Sequence, residues 1–144
     1  MMKIFELTRA SQDKLNAING LLPQLSSSST PLELDGLNNL IDSSSLSLFL
    51  AEKDGKVLGM LSLVVFAIPT GVRAWIEDVV VDNEARGLGV GKALTNHAVR
   101  EALKKGAQTI DLTSRPSRVA ANQLYQKVGF KQRETNVYRF RNVD

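Results

Sequence analysis

The apolar positions of the chain switch between two periods, and the switches mark its elements. Lys3 to Thr8 alternates in steps of two and predicts a short opening strand. Leu15, Ile18, Leu22 and Leu25 recur at helical spacing, so a helix follows. Ser26-Ser27-Ser28-Ser29 is a loop by composition, too short to separate domains. Thr30-Pro31-Leu32-Glu33 has the form of a capping box with proline at the first helical position. It predicts a helix carrying Leu34, Leu37, Leu40 and Ile41, which Ser43-Ser44-Ser45 ends. Leu46 to Glu52 and Val57 to Ile68 then read as two strands. Between them lies Lys53-Asp54-Gly55-Lys56, whose Asp-Gly is a strong hairpin signal. Pro69-Thr70-Gly71 turns the chain into a further strand, Arg73 to Asp82. A glycine-rich turn over Arg86 to Gly91 opens a helix with the stripe Val90, Leu94, Ala98 and Ala102, and Gly106 stops it. A strand over Gln108 to Thr113, a helix from about Ser117 to Lys127 and a last strand over Asn136 to Arg141 complete the pattern.

Composition narrows what such a chain can do. Its 144 residues are 43% hydrophobic and suit one domain spanning 1–144. There is no cysteine, so disulfides, thiolate metal sites and a cysteine nucleophile are all excluded. One histidine, His97, cannot build a multi-histidine metal site, and no metal is expected. His97 falls on the polar side of its predicted helix and is expected to face solvent. The lack of cysteine fits a reducing compartment, and a cytoplasmic location is expected. Met1-Met2-Lys3 leads into charged sequence, so no targeting segment is expected. The longest apolar stretch, Val57 to Ile68, is too short to span a bilayer, and no membrane partner is expected.

The formal charge is +3, too small to point to nucleic acid. Its distribution is uneven. Residues 1–82 hold six basic and ten acidic residues, a balance of −4, whereas residues 83–144 hold twelve and five, a balance of +7. The second half is therefore suited to an anionic partner, although charges on solvated faces can also segregate without one.

The segment Val79-Val80-Val81-Asp82-Asn83-Glu84-Ala85-Arg86-Gly87-Leu88-Gly89-Val90-Gly91-Lys92 carries the chemistry. A buried strand runs into three glycines and then a helix. Amide groups at a helix start lack internal acceptors and have the positive dipole end behind them. Glycines let a phosphate approach such a row closely. A P-loop would need glycine at Arg86 and a hydroxyl residue at Ala93, and it fails twice. The dinucleotide fingerprint would need a third glycine at Lys92 or Leu94, and it belongs early in a large parallel sheet.

What fits is Arg86-x-x-Gly89-x-Gly91, followed downstream by Leu124-Tyr125-Gln126-Lys127-Val128-Gly129-Phe130. In these two segments, with this order and spacing, the chain resembles the GNAT-type acyl-CoA N-acyltransferase superfamily. The resemblance covers essentially the whole chain. It implies the acyl-CoA N-acyltransferase fold of α/β (α+β) class: a mixed, mostly antiparallel sheet of six to seven strands flanked by about four helices. It also implies direct transfer of an acetyl group from acetyl-CoA to a primary amine, in a small molecule or a peptide. A non-catalytic acyl-CoA-binding regulatory module is the alternative, and the retention of Tyr125, Glu77 and Asp78 speaks against it.

The resemblance also assigns roles. Backbone groups of Leu88 to Lys92, with Gly87, Gly89, Val90 and Gly91 in the turn, would hold the CoA pyrophosphate, and Arg86 and Lys92 would add charge. Val79, Val80 and Val81 match the strand whose main chain pairs with pantetheine, although such a run reads as core in any case. Tyr125 matches the tyrosine that protonates the departing thiolate. Glu77, which shares strand parity with Val79 and Val81, is the preferred base for the amine, and Asp78 is the other candidate. Relatives often carry asparagine seven residues before the tyrosine, against pantetheine. That position is Arg118 here, and Asn122 would have to substitute. The acceptor would sit between the N-terminal helices and the loop near Lys131 to Asn136. The alternating last strand, if exposed, would let two chains pair as a homodimer.

Overall fold

The computed structural model describes residues 1–143. Its centre is the hairpin that Asp54-Gly55 sets, with both residues at positive φ, 53° and 79°. That pair suits the tight turn between right-twisting strands. The turn joins β2 (Leu46–Lys53) to β3 (Lys56–Ile68), and β1 (Met2–Glu6) pairs on the far side of β2. β4 (Gly71–Val81) pairs antiparallel with β3, and β5 (Thr109–Asp111) lies parallel to β4. The sheet therefore runs β1-β2-β3-β4-β5.

Helices cover both faces. Ser47 to Ala51 of β2 is buried without interruption because alternate side chains enter two different cores. α1 (Gln12–Leu25) and α2 (Leu34–Asp42) cover one face, where Leu15, Ile18, Leu21 and Leu37 meet Leu48, Leu50, Met60 and Val80. α3 (Val90–Lys104) covers the other, and its stripe Val90, Leu94, Ala98 and Ala102 meets Phe49, Leu61, Leu63 and Ile76. Full burial of a Leu or Phe side chain contributes about 1.5–3 kcal/mol, so these two layers dominate the energetics. Gly59 lets α3 sit close to the sheet. A Cβ there would stand 2.9 Å from the Val80 carbonyl oxygen and 3.0 Å from Val90 Cγ1. α4 (Val119–Val128) packs beside α3.

The structure corrects three sequence expectations. The sheet has five strands instead of six to seven, because Asn136 to Arg141 belongs to no strand. An alternating pattern encodes a strand only where an edge is there to pair with it. The helix expected at Thr30 begins at Leu34. The Asn19 side chain accepts from Leu32 N at 2.9 Å and donates to Leu32 O at 3.0 Å. That bridge from α1 takes both backbone groups of Leu32 out of reach of a helix. His97 does not face solvent: it is partly buried, edge-on to the Phe49 ring at 4.7 Å between centroids. Burial holds its imidazole below the usual histidine range, opposed by Glu101.

Candidate active site

β4 and β5 pair over only three residues, Arg73 to Trp75 against Thr109 to Asp111. From Ile76 to Val81, β4 continues with no strand on that side among the described residues. A gap therefore opens beyond Trp75, edged by strand backbone.

Within that edge the chain bulges. Ser62 faces Glu77 and Met60 faces Val80, so Leu61 stands opposite two residues, Asp78 and Val79. Asp78 takes up the extra residue in the left-handed region, at φ 52°. Such a bulge re-aims every side chain after it. Ala74 and Ile76 lie in the α3 core, as do Val79 and Val81, whereas Val80 lies in the α1–α2 core. The shared parity of Glu77 with Val79 and Val81 is thereby overturned. Glu77 lies on the α1–α2 face, with Trp75 and Val80. It is exposed, and the Trp75 indole N–H donates to its carboxylate at 2.9 Å. Asp78 is exposed as well.

The glycine turn follows directly. Asp82 is tied to β3 by its amide, which donates to Leu58 O at 2.8 Å, and its carboxylate caps the short 3-10 turn Asn83–Ala85 through Glu84 N. Ala85 is buried and anchors the turn, while Arg86 to Gly89 are exposed. Gly87 and Gly89 stand at φ 84° and 76°, a conformation that other residues enter only at a cost. The first hydrogen bond of α3 runs from Ala93 N to Gly89 O. The amides of Val90, Gly91 and Lys92 come before it and have no partner within the helix. Lys92 is exposed. Donors of this kind, beside exposed Arg86 and Lys92, suit a diphosphate.

The second segment reaches the same place. A Cβ on Gly91 would stand 3.1 Å from Leu124 Cδ2, so the two motifs touch across the α3–α4 contact. Gly129 ends α4 at φ 121°, and Phe130 turns back so that its amide donates to Tyr125 O at 2.9 Å. The Phe130 ring packs edge-on to Tyr125, 6.1 Å between centroids. Tyr125 is 5% exposed. Burial raises its phenol above the usual range, and the positive charge of Arg118 works in the opposite direction. Arg118 thus stands by Tyr125 at the N-cap of α4. Asn122 is turned elsewhere, since its side-chain amide donates to Arg115 O at 3.0 Å and closes the loop entering α4.

Of the residues singled out in the sequence, those of the glycine turn and Tyr125 converge on one side of the sheet, and Glu77 lies across it. The Asp78 bulge, the Trp75–Glu77 bond and the Arg118–Tyr125 contact have no local signature. A bulge could be suspected only from two adjacent acids in a strand. No group of His, Cys, Asp or Glu able to hold a metal ion occurs among the described residues. None of their helices is long and apolar enough to cross a membrane.

Residues 16–130 match the model of the Acetyltransferase (GNAT) family. The chain belongs to that family. Among its relatives is the [ribosomal protein bS18]-alanine N-acetyltransferase of Escherichia coli, 35% identical over 72 residues, 49% of each chain. The aminoalkylphosphonate N-acetyltransferase of Salmonella typhimurium is 29% identical over 139 residues, covering 92% of this chain and 88% of that one. Among solved structures, an aminoglycoside acetyltransferase from an uncultured soil metagenomic sample, in complex with trehalose, superposes with a TM-score of 0.87 at 19% identity. The match covers 99% of this chain and 97% of that one, and it shows that the two share this fold. The chain spans 29% to 49% of the length of the curated relatives it matches first.

Proposed function

We propose that the protein transfers an acetyl group from acetyl-CoA directly to a primary amine. The observation that carries this reading is the contact of the glycine turn with the Tyr125 segment, through Gly91 and Leu124, beside the gap in the sheet. One side of that gap offers unpaired amides and cations for a diphosphate, and the other offers a phenol.

In this reading backbone groups of Leu88 to Lys92 hold the CoA pyrophosphate, chiefly the unpaired amides of Val90, Gly91 and Lys92, with Arg86 and the Lys92 side chain beside them. The open edge of β4 at Val79, Val80 and Val81 pairs with the pantetheine arm. A backbone N–H near Val79 meets the thioester oxygen as charge develops there. One such donor is worth about 2.7–4 kcal/mol in the transition state. Glu77, acting through water, takes a proton from the amine. The amine nitrogen bonds to the acetyl carbon, the carbon–sulfur bond breaks, and Tyr125 gives its proton to the leaving sulfur. The phenol carries its proton at neutral pH, and the positive charge of Arg118 opposes the burial that would make it a weaker acid. Arg118, next to Tyr125, supplies positive charge where the thiolate forms. With no cysteine in the chain, the acetyl group passes between substrates without a thiol intermediate.

The exposed carboxylates of Glu77 and Asp78, within a half of balance −4, favour a cationic acceptor. The relatives named above act on amines of varied size, which is compatible with an amine here but selects none. The cysteine-free sequence suits a reducing, cytoplasmic setting. The test is release of free thiol from acetyl-CoA across a panel of polyamines, aminosugars, aminophosphonates and peptides. Release with one class of amine is expected. Tight CoA binding with no release across the panel would identify a regulatory binding module instead, and absence of CoA binding would refute both readings.

A further inference from the structure

The sheet carries an apolar strip that neither core uses. On β3 and β4, Leu63, Val65, Ala74 and Ile76 face α3. The residues between them face the other way, and the register sets them in rows: Ser62 beside Glu77, Val64 beside Trp75, Phe66 beside Arg73. The α1–α2 core takes Leu48 from the strand next to Ser62 and takes nothing from the rows beyond it. Val64, Phe66 and Trp75 therefore belong to neither core. Phe66 is 38% exposed, and Trp75 is only partly buried.

The strip changes character along its length. At the end nearest the gap, one oxygen of the Glu77 carboxylate accepts the Trp75 indole N–H at 2.9 Å, and the other has no partner among the described residues. One row on, about 7 Å along the strand, come Val64 and Trp75. Phe66 is the diagonal neighbour of Trp75, about 7–8 Å away, near enough for one flat ring to touch both. Arg73 closes the far end, where its guanidinium donates to the Thr70 hydroxyl at 3.0 Å. Acid, aromatic surface and base follow in that order.

We propose that this strip selects the acceptor, a monoamine that carries an aromatic ring on a short linker, of the phenethylamine kind. The inference rests on the proposed acetyl transfer and names its acceptor class. The ammonium meets the free oxygen of Glu77, close to the Val79 backbone where that reading delivers the acetyl group. The ring lies over Val64, between Trp75 and Phe66, and removes apolar surface of both partners from water. A diamine fits the acidic end but carries its second ammonium toward Arg73, where like charges repel. An aminosugar sets its hydroxyl groups against apolar side chains that offer them no hydrogen bond.

Trp75 is the only tryptophan of the chain, so its fluorescence reads the strip without turnover. Phenethylamine titrated into the full chain without acetyl-CoA is expected to change that fluorescence saturably, at concentrations about tenfold below those needed for putrescine. In thiol release from acetyl-CoA, kcat/KM should favour phenethylamine over putrescine by about tenfold or more. Phe66→Ala should abolish most of that preference by raising KM for phenethylamine, while CoA affinity by calorimetry stays that of the parent. Trp75→Phe should retain the preference better than Trp75→Ala. Turnover of putrescine equal to or better than that of phenethylamine overturns the acceptor assignment and leaves acetyl transfer standing. A saturable response of Trp75 with no thiol release from any amine refutes acetyl transfer, and the acceptor role with it. A dimer that Phe66→Asp dissociates, with Trp75 unresponsive to amines, would make the strip a contact between two copies and also overturns the proposal.

Discussion

Tyr125 combines a nearly inaccessible ring with a phenol that burial raises and Arg118 restrains. Replacing it with phenylalanine keeps the ring, its packing on Phe130 and the apolar volume, and removes only the hydroxyl group with its proton. Tyr125→Phe is therefore expected to lower kcat by about tenfold or more, since a general acid contributes roughly 10²–10⁴-fold. CoA affinity, read by calorimetry, should be unchanged, and an unaltered kcat would remove Tyr125 from the mechanism. His97 makes a second test at this scale. Its folded form resists protonation, so the unfolded chain takes up the proton first as pH falls below about 6.5. Stability is then full above that pH and is lost as pH falls through the lower folded value. The urea midpoint should fall as the pH is lowered below about 6.5. His97→Gln should remove that drop. Glu52, held low by its hydrogen bond from Lys14, loses its contribution only at more acid pH, below its ordinary value of 4.5.

At the scale of elements, glycines decide how closely the helices approach the sheet. Gly59 has backbone and two apolar side chains where a Cβ would go, and Gly87 has nothing within 4 Å but a left-handed φ. The two should respond to alanine for different reasons. Gly59→Ala must displace α3 or β4, with an overpacking cost of about 1–3 kcal/mol. Gly87→Ala meets only the backbone penalty, roughly 1–2 kcal/mol. Denaturant unfolding measures both losses, and only the first should also loosen hydrogen-exchange protection along the α3 contact with β3. The bulge at Asp78 is the other device at this scale. It separates Glu77 from Val79 by face although two positions separate them in sequence, and so puts the carboxylate on the α1–α2 side of the sheet.

Over the whole molecule, the charge division follows the architecture. The half with balance −4 supplies α1, α2 and most of the sheet, and the half with balance +7 supplies α3, α4 and the glycine turn. In the proposed site, exposed Arg86 and Lys92 would act on the anionic cofactor through solvent, where salt screens charge within about 8–10 Å. Arg86→Ala with Lys92→Ala is therefore expected to raise KM for acetyl-CoA several-fold and leave kcat near that of the parent. The salt dependence of KM should flatten in the double variant. A fall in kcat with KM unchanged would mean that these cations act on the transition state instead.

The residue order alone determined the two halves of the proposed site. A three-glycine turn at a strand–helix junction and a Leu-Tyr-x-x-x-Gly-Phe segment are local patterns, and their physics is local: positive φ, unpaired amides, a helix-ending glycine. The helical and strand periods also placed four helices and the five strands that have partners. What only the tertiary structure decided is non-local. The start of α2 depends on Asn19 reaching Leu32, the face of Glu77 depends on a bulge opposite Leu61, and the burial of His97 depends on Phe49 across the layer. The C-terminal segment is the clearest case. Its alternation writes a strand, but a strand exists only where an edge accepts its hydrogen bonds, and no property of residues 136–141 themselves can supply that edge.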